Sequence, residues 1–133
     1  MARLDRPVRI WLATVTVVTP DVESFDRYTW ADPIDAWADI TDGGSTFDPL
    51  QTGASRTRYL LNFIVRWTRE IAGHELGLMA IQIKGDTGDP PQGSDRNINF
   101  GGAWIVYERS ILEQADRRRF LGLAALRTNP LAI

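Results

Sequence analysis

Arg56-Thr-Arg-Tyr-Leu-Leu-Asn-Phe-Ile-Val-Arg-Trp67 is the stretch on which the reading of this chain turns. At a period of two, Tyr59, Leu61, Phe63, Val65 and Trp67 share one face, and Arg58, Leu60, Asn62, Ile64 and Arg66 share the other. That pattern is a strand with one apolar side. Burying those side chains would contribute roughly 8 to 15 kcal/mol gross, at about 1.5 to 3 each, before chain entropy is subtracted. The second face mixes arginines with Leu60 and Ile64, which suits a surface partly covered by another subunit better than one left wholly in water. At about 3.3 Å per residue the run spans on the order of 36 Å, so it requires long neighbours.

A chain of 133 residues with 44% hydrophobic content is read as a single domain, residues 1–133, with one core. It has no cysteine, which excludes disulfides, thiolate nucleophiles and cysteine-held metals and fits assembly in a reducing compartment. Arg3, Asp5, Arg6 and Arg9 precede an alternating run, so the start does not resemble a signal peptide, and no stretch reaches the roughly 18 apolar residues of a bilayer span. A formal net charge of -2 argues against a dedicated phosphate-binding surface. With Lys84 the sole lysine, the positive charge is nearly all arginine, the cation suited to protein interfaces.

Residues 7–18 read as a first long strand, with Val8, Ile10 and Leu12 on one side and Trp11, Val15 and Val17 on the other. Residues 22–30 read as extended, and residues 34–41 as a short strand with Ile34, Ala36, Ala38 and Ile40 inward and Asp35, Trp37 and Asp39 outward. Residues 42–55, rich in glycine with Ser45 and Pro49, read as a long loop. A turn over 70–75 leads to a strand at 76–84 that is expected to pair with the central strand as a hairpin. Residues 85–99 form a second long loop with nothing to nucleate a core. A strand over 100–109, a turn over 110–115, a strand over 116–127 and a tail at 128–133 complete the chain. A helix over 110–126 ranks second, because Arg117, Arg118 and Arg119 break the 3.6 period. The expected fold class is all-β, a small antiparallel β-barrel or sandwich of about six strands with two long loops and little helix.

Catalytic chemistry finds little to work with. His74 stands alone in a glycine-flanked turn and reads as a surface residue. On a strand Asp35 and Asp39 lie about 13 Å apart, too far for a carboxylate pair. Asp86, Asp89 and Asp95 lack the fixed spacing of a calcium loop, and Gly101 and Gly102 lack a phosphate-loop pattern. The arginine triplet alternates faces and suits ion pairing at a subunit boundary. No catalytic, metal or cofactor-binding residue is expected.

Several patches together resemble the head-closure proteins of tailed bacteriophages, also called stoppers or head-tail joining proteins. Arg-Leu-Asp-Arg-Pro-Val-Arg-Ile at 3–10 looks like the family's opening strand. Residues 28–40, with Trp30 followed by Asp-Ala-Trp-Ala-Asp-Ile, resemble its tryptophan-rich second segment. The central stretch and Asp-Arg-Arg-Arg-Phe-Leu-Gly-Leu-Ala-Ala-Leu-Arg at 116–127 look like its arginine-bracketed central strand and its closing strand. The order is the family's and covers most of the chain. Two departures stand out: the inserted 85–99, where the family has a short turn, and 21–26 in place of a glycine-containing hairpin.

The resemblance implies a non-enzymatic structural component of the virion neck, assembled in the host cytoplasm. It would form a hexameric or dodecameric ring between the portal and adaptor on the head side and the tail terminator or tail tube on the other. That ring closes the DNA channel after packaging, with no sequence-specific DNA binding and no membrane. The family's channel-closing loop falls on Asp42, Gly43, Gly44, Phe47, Asp48 and Leu50. Subunit-interface candidates are Arg58, Leu60, Ile64, Arg66, Arg117 and Arg119, on heterologous contacts between unlike patches. The rival readings are a tail-terminator or minor tail protein, and a small β-barrel that binds a ligand or single-stranded nucleic acid by Trp and Arg stacking.

Overall fold

The computed structural model describes residues 4–48, 56–113 and 119–128, with side chains for 4–42, 59–113 and 119–127. The strands are β1 (Arg6–Val18), β2 (Phe25–Trp30), β3 (Ile34–Asp48), β4 (Arg56–Arg66), β5 (Met79–Ile83), β6 (Ser94–Asp95), β7 (Trp104–Glu113) and β8 (Arg119–Thr128), with one short helix, α1 (Arg69–Gly73). All pairings are antiparallel. They run β3-β4-β8-β7-β5-β1, and a β1–β3 pairing closes those six strands into a ring. β2 and β6 lie outside it, added to the far half of β1. The all-β class and the near absence of helix are as expected.

β4 is the middle of this ring's longest wall. It pairs with β3 from Ala38↔Val65 to Asp48↔Arg56 and with β8 from Arg58↔Thr128 to Arg66↔Phe120. The expected hairpin with residues 76–84 does not form. β5 has only five residues and pairs instead with β1 and β7. An 11-residue apolar strand needs edges of matching length, and the 15 residues of β3 and 10 of β8 supply them. The register sets Phe63 opposite Leu123 and Val65 opposite Leu121, apolar against apolar on the inner face.

The interior is filled by Val8 and Ile10 of β1, Ala38, Phe63, Val65, Met79, Ile81, Trp104, Val106, Leu121, Leu123 and Ala125. Ile71 joins them from α1, at the end where β4 finishes. The residues expected to turn at 70–75 thus begin as a helical turn. Thr68 caps it, its hydroxyl accepting from the Ile71 amide at 3.3 Å, with Glu70 in the first turn. Thr68→Ala is expected to cost about 1 kcal/mol, read as a lower urea midpoint at unchanged slope.

Other boundaries move. β3 continues through the stretch expected to be a loop at 42–55, absorbing its glycines at an irregularity in register between Asp42 and Gly44, so Asp42, Gly43, Gly44, Phe47 and Asp48 lie on a strand. Leu50 and the rest of that connection lie outside the described residues. β7 runs to Glu113 where a turn was expected, and its pairing with β8 from Ile105↔Leu126 to Glu113↔Arg119 overrules the helical alternative. Residues 85–99 do not hang free: Ser94 and Asp95 pair with Tyr28 and Arg27 as β6, and Gln92 bridges to Asn99.

Candidate interaction surface

The outer face of the β3–β4–β8–β7 wall follows from its register. Asp39, Ile64, Gly122 and Ser110 form one row, and Leu60, Leu126 and Ile105 form another. Leu60 and Ile64 are half-buried within the single chain, so this face is less open than alternation alone implies. The larger apolar exposures among the described residues are Val22 at 93%, Ile111 at 65%, Val17 at 63% and Trp37 at 59%, the last on the same face of β3 as Asp39.

Trp37 stands beside a groove of about 380 Å³ lined also by Ile34, Ala36, Arg66, Thr68 and Ile71. Register explains the meeting, since Ala38 pairs with Val65 and Trp37 therefore neighbours Arg66. Asp35 also borders the groove, but Lys84 at 3.1 Å and Arg9 at 3.8 Å already face its carboxylate. Arg66 makes no ion pair with a described residue. The groove is thus apolar with an open positive charge.

The second feature is an arm. Past Ala13, β1 leaves the ring and pairs only with β2, from Ala13↔Trp30 to Val18↔Phe25. Its other edge over residues 14–18, Thr-Val-Thr-Val-Val, has no strand partner among the described residues. An uncharged, β-prone open edge is a surface that proteins usually cover. The segment over residues 85–99 stiffens the arm from the opposite side. Arg27 pairs with Asp95 at 2.9 Å, Arg96 pairs with Glu23 and lies 4.9 Å from the Phe25 ring centroid, and the Trp30 indole donates to Gln92 O at 3.0 Å. A polar hollow of about 560 Å³ lies beside it, bordered by Trp11, Arg27, Trp30, Asp32 and Asp95.

His74 corrects its surface reading. It is half-buried, and its Nε2 lies 2.9 Å from Ala13 O and 3.2 Å from Leu78 O. Both are acceptors, so Nε2 carries the hydrogen and donates to them. The imidazole therefore ties the end of α1 to the point where the arm leaves the ring.

Six of the nine arginines whose side chains are described have partners inside the chain. Arg109 donates to the carbonyls of Ile71 and His74, Arg127 faces Asp86 at 3.7 Å and lies 4.5 Å from the Trp104 ring centroid, and Arg119 stacks over Trp67 at 6.0 Å. Among the interface candidates, Arg66 and Arg119 are exposed, Arg58 contributes its backbone to the β4 ladder, and Arg117 lies outside the described residues. No cluster of three or more His, Asp or Glu that could hold a metal occurs among the described residues, and none of their helices is long and apolar enough to cross a membrane.

No family model, curated protein or solved structure matches the chain. The likeness to head-closure proteins therefore rests on the motifs quoted for it. Val22, the most exposed of the large apolar side chains among the described residues, escaped the sequence reading; its position in a turn between Asp21 and Glu23 was the available signal.

Proposed function

We propose that the protein is a non-enzymatic, ring-forming structural component of the neck of a tailed phage or phage-like particle. It sits between portal or adaptor and tail, closes the DNA channel after packaging and offers the docking surface for the tail. One observation supports this most: large apolar groups are exposed at well-separated places on a chain whose interior is already filled. Unlike patches far apart suit head-to-tail association, and that association closes into a ring when its rotation allows. The element reaching the channel would be the β3–β4 hairpin, carrying Asp42 and Asp48, whose charge discourages adhesion of DNA.

A cryo-EM reconstruction of the neck is expected to show this chain as a ring coaxial with the channel. A strict monomer in the assembled particle would overturn the reading, and a ring at the tail end would move the protein to the tail-terminator class. Binding of single-stranded nucleic acid is disfavoured: Arg127 stacks on Trp104, which is itself buried, and Trp67 is taken by Arg119. No salt-dependent shift of a labelled oligonucleotide is expected at micromolar protein.

A further inference from the structure

We propose that the turn joining β1 and β2 of one copy seats in the Trp37–Arg66 groove of a second copy, with Val22 as the apolar knob and Asp21 pairing with Arg66. This rests on the ring reading and names the contact that would build it. The turn and the groove match in apolar character and are opposite in charge. Val22 is almost wholly exposed at the tip of the arm, while the groove of about 380 Å³ is apolar and bordered by an exposed tryptophan, a side chain enriched at the energetic centres of interfaces. Neither Asp21 nor Arg66 has an ion-pair partner among the described residues. Their neighbours are already occupied: Glu23 by Arg96, and Asp35 by Lys84 and Arg9. Each surface therefore presents one open charge, and the signs are opposite.

The arm is held ready for this contact. The Arg27–Asp95 and Arg96–Glu23 pairs, with Arg96 N donating to Asp26 O at 2.6 Å, fix the turn against the segment over residues 85–99 before any partner arrives. Such ordering lowers the entropy lost on docking.

The contact cannot be made within one molecule. Trp37 pairs with Pro7 at the start of β1, and Val18 at its other end is eleven residues further on, roughly 36 Å along the strand. A turn that leaves the ring at one end of β1 reaches a groove at the other end only on a neighbour. The two patches differ, so the contact is heterologous and propagates from copy to copy.

Sedimentation velocity of the full chain across a concentration series tests this, using exposed residues whose exchange leaves the interior intact. Asp21→Arg and Arg66→Asp are each expected to raise the concentration needed for assembly by at least about tenfold, and the double variant to restore most of it. Val22→Ser is expected to weaken assembly several-fold with an unchanged thermal melt, because the side chain is exposed in the single chain. Wild-type assembly that neither charge reversal disturbs, or a double variant no better than the singles, would overturn this contact and leave the ring reading standing. A wild-type chain that is monomeric at every concentration and in assembled particles would overturn both.

Discussion

Phe63→Ala is expected to lower the unfolding free energy by about 3–5 kcal/mol, a large share of the roughly 5–15 kcal/mol that holds a domain together. Phe63 is fully buried in the middle of β4, opposite Leu123 on β8 and edge-on to the Trp104 indole at 6.5 Å. Truncation removes apolar burial and an aromatic contact at once, and antiparallel partners on both edges of β4 restrict collapse of the cavity. A urea titration should show a much lower midpoint with little change in slope. Tyr59 provides the comparison. It shares the parity of Phe63 but is 41% exposed, so Tyr59→Ala should cost about 1 kcal/mol or less. Equal losses at the two positions would mean that β4 does not bury its apolar face in this graded way.

Gly101→Ala is expected to cost about 2–5 kcal/mol, combining about 1–2 for a left-handed backbone with about 1–3 for forced displacement of neighbours. Gly101 has φ +60, and a Cβ there would lie 2.5 Å from Asp89 O and 2.6 Å from Pro90 O. Those are backbone atoms, so no rotamer change relieves the clash. The chain after residues 85–99 packs back on that segment here, with Gly102 N donating to Asp89 O at 2.8 Å. Amide exchange should separate this from a global loss: protection should fall in β6 and β2, which the segment joins, more than in β4 and β8. Gly85→Ala is the control. Its φ of +99 carries backbone strain, but no atom lies within 4 Å of the added methyl, so the change should be milder and local. A Gly101→Ala protein with wild-type exchange in β2 would show that this packing does not hold the arm.

The alternation of the central strand was legible because pleating is local. Phe63 and Val65 point inward and Trp37 outward, as a period of two requires. The break in the 3.6 period at the arginine triplet ranked a helix over 110–126 second, and β7 and β8 are strands, though β7 runs on through the turn expected at 110–115. His74 was misread because its two acceptors, Ala13 O and Leu78 O, come from backbone that only folding brings to it. The segment over residues 85–99 was misread for a similar reason. Nothing within 85–99 forms a core, yet Arg96 and Asp95 find Glu23 and Arg27 some seventy positions earlier in the chain.

The groove shows the same division. Trp37 as an outward residue and Arg66 as an interface candidate were both readable, but their adjacency came from the β3–β4 register. By itself, the order of residues determined which side of β1, β3 and β4 is apolar and that the chain is built of strands, because both depend on neighbours one and two positions away. Tertiary structure alone decided which edges join, how far β3 runs past its glycines and where the exposed valine of the turn stands relative to the groove. Those outcomes depend on matching strand lengths and closing a ring, and such constraints act between segments that no local pattern relates.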